Sequence, residues 1–425
     1  MRADKVCVDS LDNKLYFNYF SCVGCIGVAD CSRNIVTSYL HGGSYPTALC
    51  YDVNNNRVYF GTQPWSPELP AVTVIDCSAD TVVKRILTSD DAQVLKLHAA
   101  LNKLYVTASY SPDILDVIDC NSDSISCHLN LPDGGSSPLL LVPEDNRLWY
   151  FGDSTVTVID CDGDSILANV PETLEVGDVC ASPEDREVFA TSSGGRPFSI
   201  VDMDNPAHRE TLLTVWEGGQ HVIYVPKAHK VYWCANYYQP LPAGHSVFRV
   251  VDSRTNVITA TFNLPRQIEG MCLDHTGDYV YCAGCDAWLF YVIDSRTDSV
   301  VATVQLPSLP GRTDPLVPNT RTHRIYVAQW DVSGGIPVIK DSMVVGLADL
   351  KPGPRSPVVL PTVIRRDVPL LVTAAAMLYD PSGRRVAVLR PGLNDISRVA
   401  PGVYFMREAS GVGEAWSVRK VVLTE

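Results

Sequence analysis

TALCYDVNNNRVYFGT (47–62), followed after a short gap by AVTVIDCSADTVVKRIL (71–87), is the stretch that decides how this chain folds. TALCY runs into DVNNN, which offers Asn and Asp for a tight reversal, and RVYFGT follows it. A longer connection leads to AVTVID, and the Ser/Asp turn CSAD leads to TVVKRIL. The apolar positions alternate or run on, and they are β-branched or aromatic, as in half-buried and buried strands. The expected unit is therefore four antiparallel strands. No ten-residue window before Lys351 carries a helical stripe.

The same unit recurs along the chain. A turn, a basic or polar residue, an aliphatic and an aromatic return as NKLYF, NRVYF, NKLYV, NRLWY, DREVF, HKVYW, GDYVY and HRIYV. Their aromatics are Tyr16, Tyr59, Tyr105, Trp149, Phe189, Tyr232, Tyr281 and Tyr326. Between these copies, a short strand ends in Asp at Asp30, Asp76, Asp119, Asp160, Asp202, Asp252 and Asp294, at spacings of 41 to 50 residues. A four-stranded unit of that size cannot bury both of its faces, so it must stack on its neighbours. The reading is an all-β closed β-propeller of four-stranded blades. Eight hairpin copies favour eight blades, with seven the alternative. Inner strands are expected at 6–9, 48–51 and 271–273.

Composition limits what the chain does. It has 425 residues, 46% hydrophobic and 19% charged, with a net charge of −14. That supports a real core and excludes disorder. The acidic balance argues against nucleic-acid binding, and no apolar run reaches the ~20 residues of a spanning helix. Residues 351–425 hold 11 Lys+Arg and 6 Asp+Glu, a net of +5, against −19 for the rest. All 14 cysteines lie between Cys7 and Cys285. The Pro-rich segment KPGPRSP sits at this change. The expected organisation is a propeller over 1–350, a linker over 351–357 and a β-sandwich over 358–425.

The NKLYV-type second strands and the VTVID-type third strands, with copies such as VTVIDCSADTVV from Val72 and YVIDSRTDSVV from Tyr291, resemble the YVTN-repeat β-propellers. That group includes YncE-like and surface-layer-type proteins. The resemblance covers about 5–345 and implies a disc, most often seven-bladed. The last copy lacks an obvious fourth strand after IPVIKDSMVV (336–345).

The tail resembles a second family, the C-terminal sorting domain of the type IX secretion system. The residues that carry it are MLYDPSGRRVAVLRPG (377–392), VAPGVYFMRE (399–408) and RKVVL (419–423), with Tyr379, Gly383, Arg384, Gly402, Tyr404 and Lys420 as the motif positions. The resemblance implies a small β-sandwich read by the secretion machinery as an export address, and an extracellular or cell-surface location. Such cargo carries a signal peptide, whereas this chain opens MRADKVCVDS, straight into a strand. The expectation is a truncated start or an unused address.

No Gly-x-Ser-x-Gly or His-Glu-x-x-His occurs, and no cofactor is called for. The repeated strand-end aspartates read as turn-forming residues that accept backbone N–H bonds, rather than as a ring of cation ligands. Cys22, Cys25, Cys282 and Cys285 form two Cys-x-x-Cys half-sites on different blades, so a four-ligand zinc site is not expected. Cys77, Cys120 and Cys161 follow VID where later copies have Ser, which suggests small turn residues. Cys272 and Cys282 flank Gly277 symmetrically and are expected to face each other across a hairpin. His98 and His221 fall on inner strands with reach to a central channel.

Trp65, Tyr237, Tyr238 and Trp330, on the post-second-strand loops 63–70, 236–244 and 329–335, form the candidate binding face. The functional expectation is an exported, non-enzymatic scaffold for a protein or glycan partner. The alternative is an extracellular propeller enzyme of the lactonase or dehydrogenase kind.

Overall fold

In a computed structural model, the described residues are 5–19, 24–43, 46–63, 68–108, 114–132, 138–152, 154–171, 176–192, 198–212, 219–236, 245–284, 289–305, 316–328, 336, 338–340, 362–365, 370–372, 376–380, 384–390, 392–409 and 416–424. The strands begin and end where the chain is made to turn. All thirteen described non-glycine residues with positive φ fall at two positions of the repeat. Asn13, Asn56, Asn102, Asn146, Arg186, His229 and His323 precede the second strand of a sheet; Asn34, Asp80, Asp123, Asp164, Asn256 and Asp298 precede the fourth. Asn and Asp tolerate this left-handed region best, which is why NK, NR and S-x-x-D recur.

Between the turns the strands pair as antiparallel meanders. Sheets 1 to 7 have four strands each, in sequence order, over 6–41, 46–87, 94–130, 139–171, 176–212, 219–264 and 268–305. Sheet 8 has three among the described residues, Leu316–Asn319, Arg324–Val327 and Val338–Lys340. The inner strands read from the sequence coincide with Val6–Asp9, Pro46–Asp52 and Ile268–Leu273. Helix among the described residues is limited to two single 3-10 turns, Pro143–Asp145 and Pro226–Ala228, each begun by proline.

Second and third strands are buried almost throughout, and fourth strands are mostly exposed, alternating with half-buried positions in sheets 1, 3 and 6. A register shift recurs between third and fourth strands, at Val28/Ala29, Val74/Ile75, Val117/Ile118, Val158/Ile159, Val250/Val251 and Val292/Ile293. Such a bulge adds twist, which the radial packing of sheets requires. In sheets 1, 3 and 6 a hydroxyl of the fourth strand, from Thr37, Ser126 or Thr259, donates to the carbonyl beside the bulge at 3.1 to 3.3 Å.

Within residues 6–340 each hydrophobic cluster joins one sheet to the next. Tyr16 and Ile26 pack on Val58 and Phe60, Tyr59 packs on Leu104 and Val106, and Tyr232 packs on Ile268 and Val280. The series continues from the eighth sheet to the first, where Tyr326 and Ala328 pack on Val6, Leu15 and Phe17. The first strands of successive sheets also touch in order, including the first strands of sheets 8 and 1.

The chain divides into two compact units, Met1–Val345 and Gly346–Glu425. In the second, five strands form one sheet in the order Thr362–Arg365, Trp416–Thr424, Gly402–Ala409, Ala376–Tyr379 and Arg385–Leu389, with only the first pair parallel. Leu370–Val372 and Gly392–Asn394 form a separate two-stranded sheet. Ala376, Leu378, Leu389, Ile396, Tyr404 and Met406 make its core.

Candidate functional site

The two halves of the repeated motif meet between neighbouring sheets. In sheet 1, Lys14 donates to Asp80 of sheet 2 at 2.8 Å, and the Tyr16 hydroxyl donates to the same carboxylate at 2.7 Å. Arg57 and Tyr59 hold Asp123 in the same way, Lys103 and Tyr105 hold Asp164, and Lys230 and Tyr232 hold Asp298. The gripped Asp is the left-handed residue before the next sheet's fourth strand. The basic residue also reaches the carbonyl of the residue after VID, as Lys14 does at Cys77 and Lys103 at Cys161. Burial, aided by the hydrogen bond to Asp, pushes these tyrosines well above the ordinary phenol range, so they act as donors. We call this arrangement a latch.

The latch varies where the motif varies. Sheet 4 has Arg147, but sheet 5 offers no left-handed Asp, and Arg147 donates to the Met203 carbonyl at 2.6 Å instead. Sheet 5 has Glu187 in place of the base, and Asn256 of sheet 6 donates to it at 2.7 Å, so donor and acceptor have exchanged. Between sheets 8 and 1, Arg324 donates to the Cys31 carbonyl and, at 3.0 Å, to Asn34.

The strand-end aspartates are turn formers. Asp30, Asp76, Asp160, Asp202 and Asp252 each accept two backbone N–H bonds from the following turn, and Asp119 and Asp294 accept at least one. The residue after VID is fixed by its backbone: Cys77, Cys120 and Cys161 donate their N–H to the carbonyls of Asn56, Asn102 and Asn146. Burial pushes these thiols up to about 12, 12 and 11, leaving them poor nucleophiles.

Two expectations about cysteine need correction or completion. Cys272 and Cys282 do not face each other: Cys272 opposes Tyr281 and Cys282 opposes Met271, so the thiols lie on opposite faces of sheet 7. The Asp274 turn pairs Asp274 with Tyr279 and displaces the hairpin by one residue from symmetry about Gly277. Cys25 is in a disulfide and so is not a thiolate ligand. Cys22 and Cys285 lie outside the described residues. Among the described residues, no group of three or more His, Cys, Asp or Glu is arranged to hold a metal.

The turns before second strands hold four residues in every sheet except the seventh, and those before fourth strands hold four in all described sheets except the fifth. At the other end of the strands, the connection from second to third strand runs from three residues (152–154) to ten (328–337). Trp65, Tyr237, Tyr238 and Trp330, the candidate contact residues, belong to the long connections and lie outside the described residues. The structure therefore does not bring them together as a described surface.

The inner strands hold a second cluster. Of the two histidines read as channel-facing, His98 is instead fully buried at the end of its strand, where neither ring nitrogen has a described partner. His221 is partly open, with its Nδ1 3.8 Å from Asp178. Asp178 accepts the N–H of Val179 at 2.9 Å and, across to sheet 6, that of Val222 at 3.1 Å. Loss of hydration pushes its carboxyl up to about 6, partly offset by these bonds and by Lys96. Burial lowers the Lys96 ammonium from its ordinary value. Lys96 was legible in principle, because it pairs with Tyr105 where other sheets carry Cys50, Leu140 or Ile223. Asp178 sits in a local irregularity between Val176 and Val179, which no repeat predicts.

In the second unit, Tyr379 and Gly402 lie on neighbouring strands, and Arg384 closes a turn by donating its backbone N–H to Asp380 at 3.0 Å. The Tyr404 ring joins the core, and its hydroxyl donates to the Ala400 carbonyl at 2.8 Å. Gly383 lies outside the described residues; Lys420 is placed by its backbone alone, opposite Phe405.

No protein-family model matches the chain, and no curated protein does. Among solved structures, it is similar to the C-terminal WD40 domain of Sif2, at 13% identity and a TM-score of 0.62, over 79% of this chain and 95% of that one. It is also similar to Kuenenia stuttgartiensis hydrazine synthase, at 15% identity and a TM-score of 0.54, over 80% of this chain and 96% of that one. At such identities the likeness shows the fold alone, a β-propeller.

Proposed function

We propose that this β-propeller is a non-enzymatic recognition scaffold of the YVTN type, with eight blades and with the last blade packed directly on the first. The observation that carries the reading is the concentration of length variation at one end of the strands, while the other end keeps four-residue turns in most sheets and repeats its latches. A rigid frame with variable loops on one face suits binding, and Trp65, Tyr237, Tyr238 and Trp330 offer large contact area at small entropic cost. The partner is a protein or a glycan outside the cell or at its surface. Residues 358–425, following a linker at 351–357, act as a type IX sorting address in a small β-sandwich.

The test is substitution of Trp65, Tyr237 and Trp330 by Ala, with binding measured to secreted proteins and to a cell-surface glycan array. Loss of binding with an unchanged melting temperature is expected. Unchanged binding in all three, or turnover of a lactone or amine abolished by one polar substitution, contradicts the reading and favours an enzyme. Removal of 358–425 in a type IX-secreting host should retain the protein inside the cell; continued export contradicts the address.

A further inference from the structure

Asp116, His128 and Ser89 make a hydrogen-bonded group at sheet 3 that neither the latches nor the loops use. Asp116 lies on the third strand, Ile114–Asp119, and His128 directly opposite it on the fourth, Ser124–Asn130. Ser89 comes from the connection that leads into the sheet. The Asp116 side chain is 3% exposed and that of His128 54%. His128 Nδ1 lies 2.7 Å from Asp116 Oδ1, and the same oxygen accepts the Ser89 hydroxyl at 2.7 Å. Oδ2 accepts the Ser89 N–H at 2.6 Å. An ionised carboxylate only accepts, so Nδ1 is the donor. In the neutral ring the lone pair then sits on Nε2, which has no partner among the described residues.

The arrangement is not a catalytic triad, in which the hydroxyl bonds Nε2. Ser89 Oγ lies 3.2 Å from Nδ1, on the other side of the ring, and gives its proton to Asp116. Nor does the fold require the carboxylate. Thr73 and Thr157 hold the same place in sheets 2 and 4, and Thr73 ties down the connection into its own sheet by donating to the Gly42 carbonyl at 2.5 Å. What Asp116 adds is the hold on His128. At His208, His221, His229 and His275, carboxylate oxygens stand 3.6 to 4.0 Å from Nδ1, too far to fix a tautomer. An imidazole oriented by a buried carboxylate, with Nε2 open to solvent, is an activated nucleophile.

We propose that His128 is a modification site that takes a phosphoryl group on Nε2 from an acyl phosphate, with Asp116 as its positioning residue. The Nε2 lone pair forms the N–P bond as the P–O bond to the acyl group breaks, and the carboxylate leaves with that electron pair. The ring proton stays on Nδ1, and the positive charge left on the ring faces Asp116. The bond from Nδ1 is untouched, so the group is added and removed without disturbing the strand pair. The site lies on a fourth strand and is independent of the loop face proposed above.

The test is incubation of the full chain with acetyl phosphate, followed by phosphorus NMR and by peptide mapping under alkaline conditions. His128 should be labelled on Nε2 alone, and at least about tenfold faster than His208, which is as open to solvent. His128→Gln should remove this label. Asp116→Thr, the residue that sheets 2 and 4 carry there, should slow labelling about tenfold and spread it over both ring nitrogens. A merely structural role of Asp116 would leave the choice of nitrogen unchanged. Should that variant fail to fold, the native chain decides by itself through the comparison with His208. Absence of label at His128, equal rates at His128 and His208, label on both nitrogens in the native chain, acetylation in place of phosphorylation, or an unchanged rate and nitrogen in Asp116→Thr overturns the proposal.

Discussion

The two ends of the strands in residues 6–340 follow opposite rules. At one end, the turns hold four residues in most sheets and carry a left-handed residue, mostly Asn or Asp, and at four junctions a carboxylate is gripped by the neighbouring sheet. At the other, the connections from second to third strand range from three to ten residues. Neighbouring sheets are thus held by polar bonds at one end and by aromatic packing along their length. The loop end is left free to change sequence, and the contrast separates what holds this molecule together from what it presents.

The sharpest way to break the comparison is at a latch. Asp298→Ala leaves the Lys230 ammonium and the Tyr232 hydroxyl, both largely buried, without their shared acceptor. Stability should fall by about 3 kcal/mol in urea unfolding. A loss below about 0.5 kcal/mol would show that water replaces the carboxylate and that the latch is ornamental.

Arg324→Ala addresses the junction of sheets 8 and 1. A loss of about 1–2 kcal/mol is expected, with amide exchange rising together in Val6–Asp9 and Leu316–Asn319 while Ile268–Leu273 keeps its protection. Faster exchange in sheet 8 alone would mean that the two sheets are not coupled.

Asn146→Ala tests the turn itself. At φ 50 the added cost should be about 1 kcal/mol in thermal unfolding, and Asn146→Gly should be close to neutral. Equal losses for both would place the contribution in the hydrogen bond that the Asn146 side-chain amide donates to Asp162 rather than in the backbone.

A smaller effect belongs to Asp178. Its folded pKa of about 6 exceeds the usual carboxyl value, so the folded chain binds the extra proton between roughly pH 4 and 6. The stability this group contributes is present at low pH and is lost as pH rises through that window. Melting temperatures of Asp178→Asn, relative to the native chain, should therefore rise between pH 4 and 7. A difference constant with pH would mean an ordinary carboxyl.

Much of the fold was legible because the repeat encodes it twice, once in periodicity and once in turn chemistry. Asn102-Lys103-Leu104-Tyr105 states a left-handed turn, a latch base, a core residue and a latch donor in four letters. The partner of each latch was not legible, because Lys14 and Asp80 are 66 residues apart and belong to different repeats. Cys272 and Cys282 misled because symmetry about a glycine does not fix register when an aspartate reshapes the turn. Asp178 escaped notice because it sits in a register irregularity between Val176 and Val179 that no repeat predicts.

The most direct test of the division between the two ends is the unfolding free energy of a chain in which 237–244 is replaced by the three-residue connection of sheet 4, 152–154. Shortening a connection costs little chain entropy, so stability should stay within about 0.5 kcal/mol of the native chain, far above that of Asp298→Ala. A loss as large as that of Asp298→Ala would place the stability of the molecule in its loops and contradict the account.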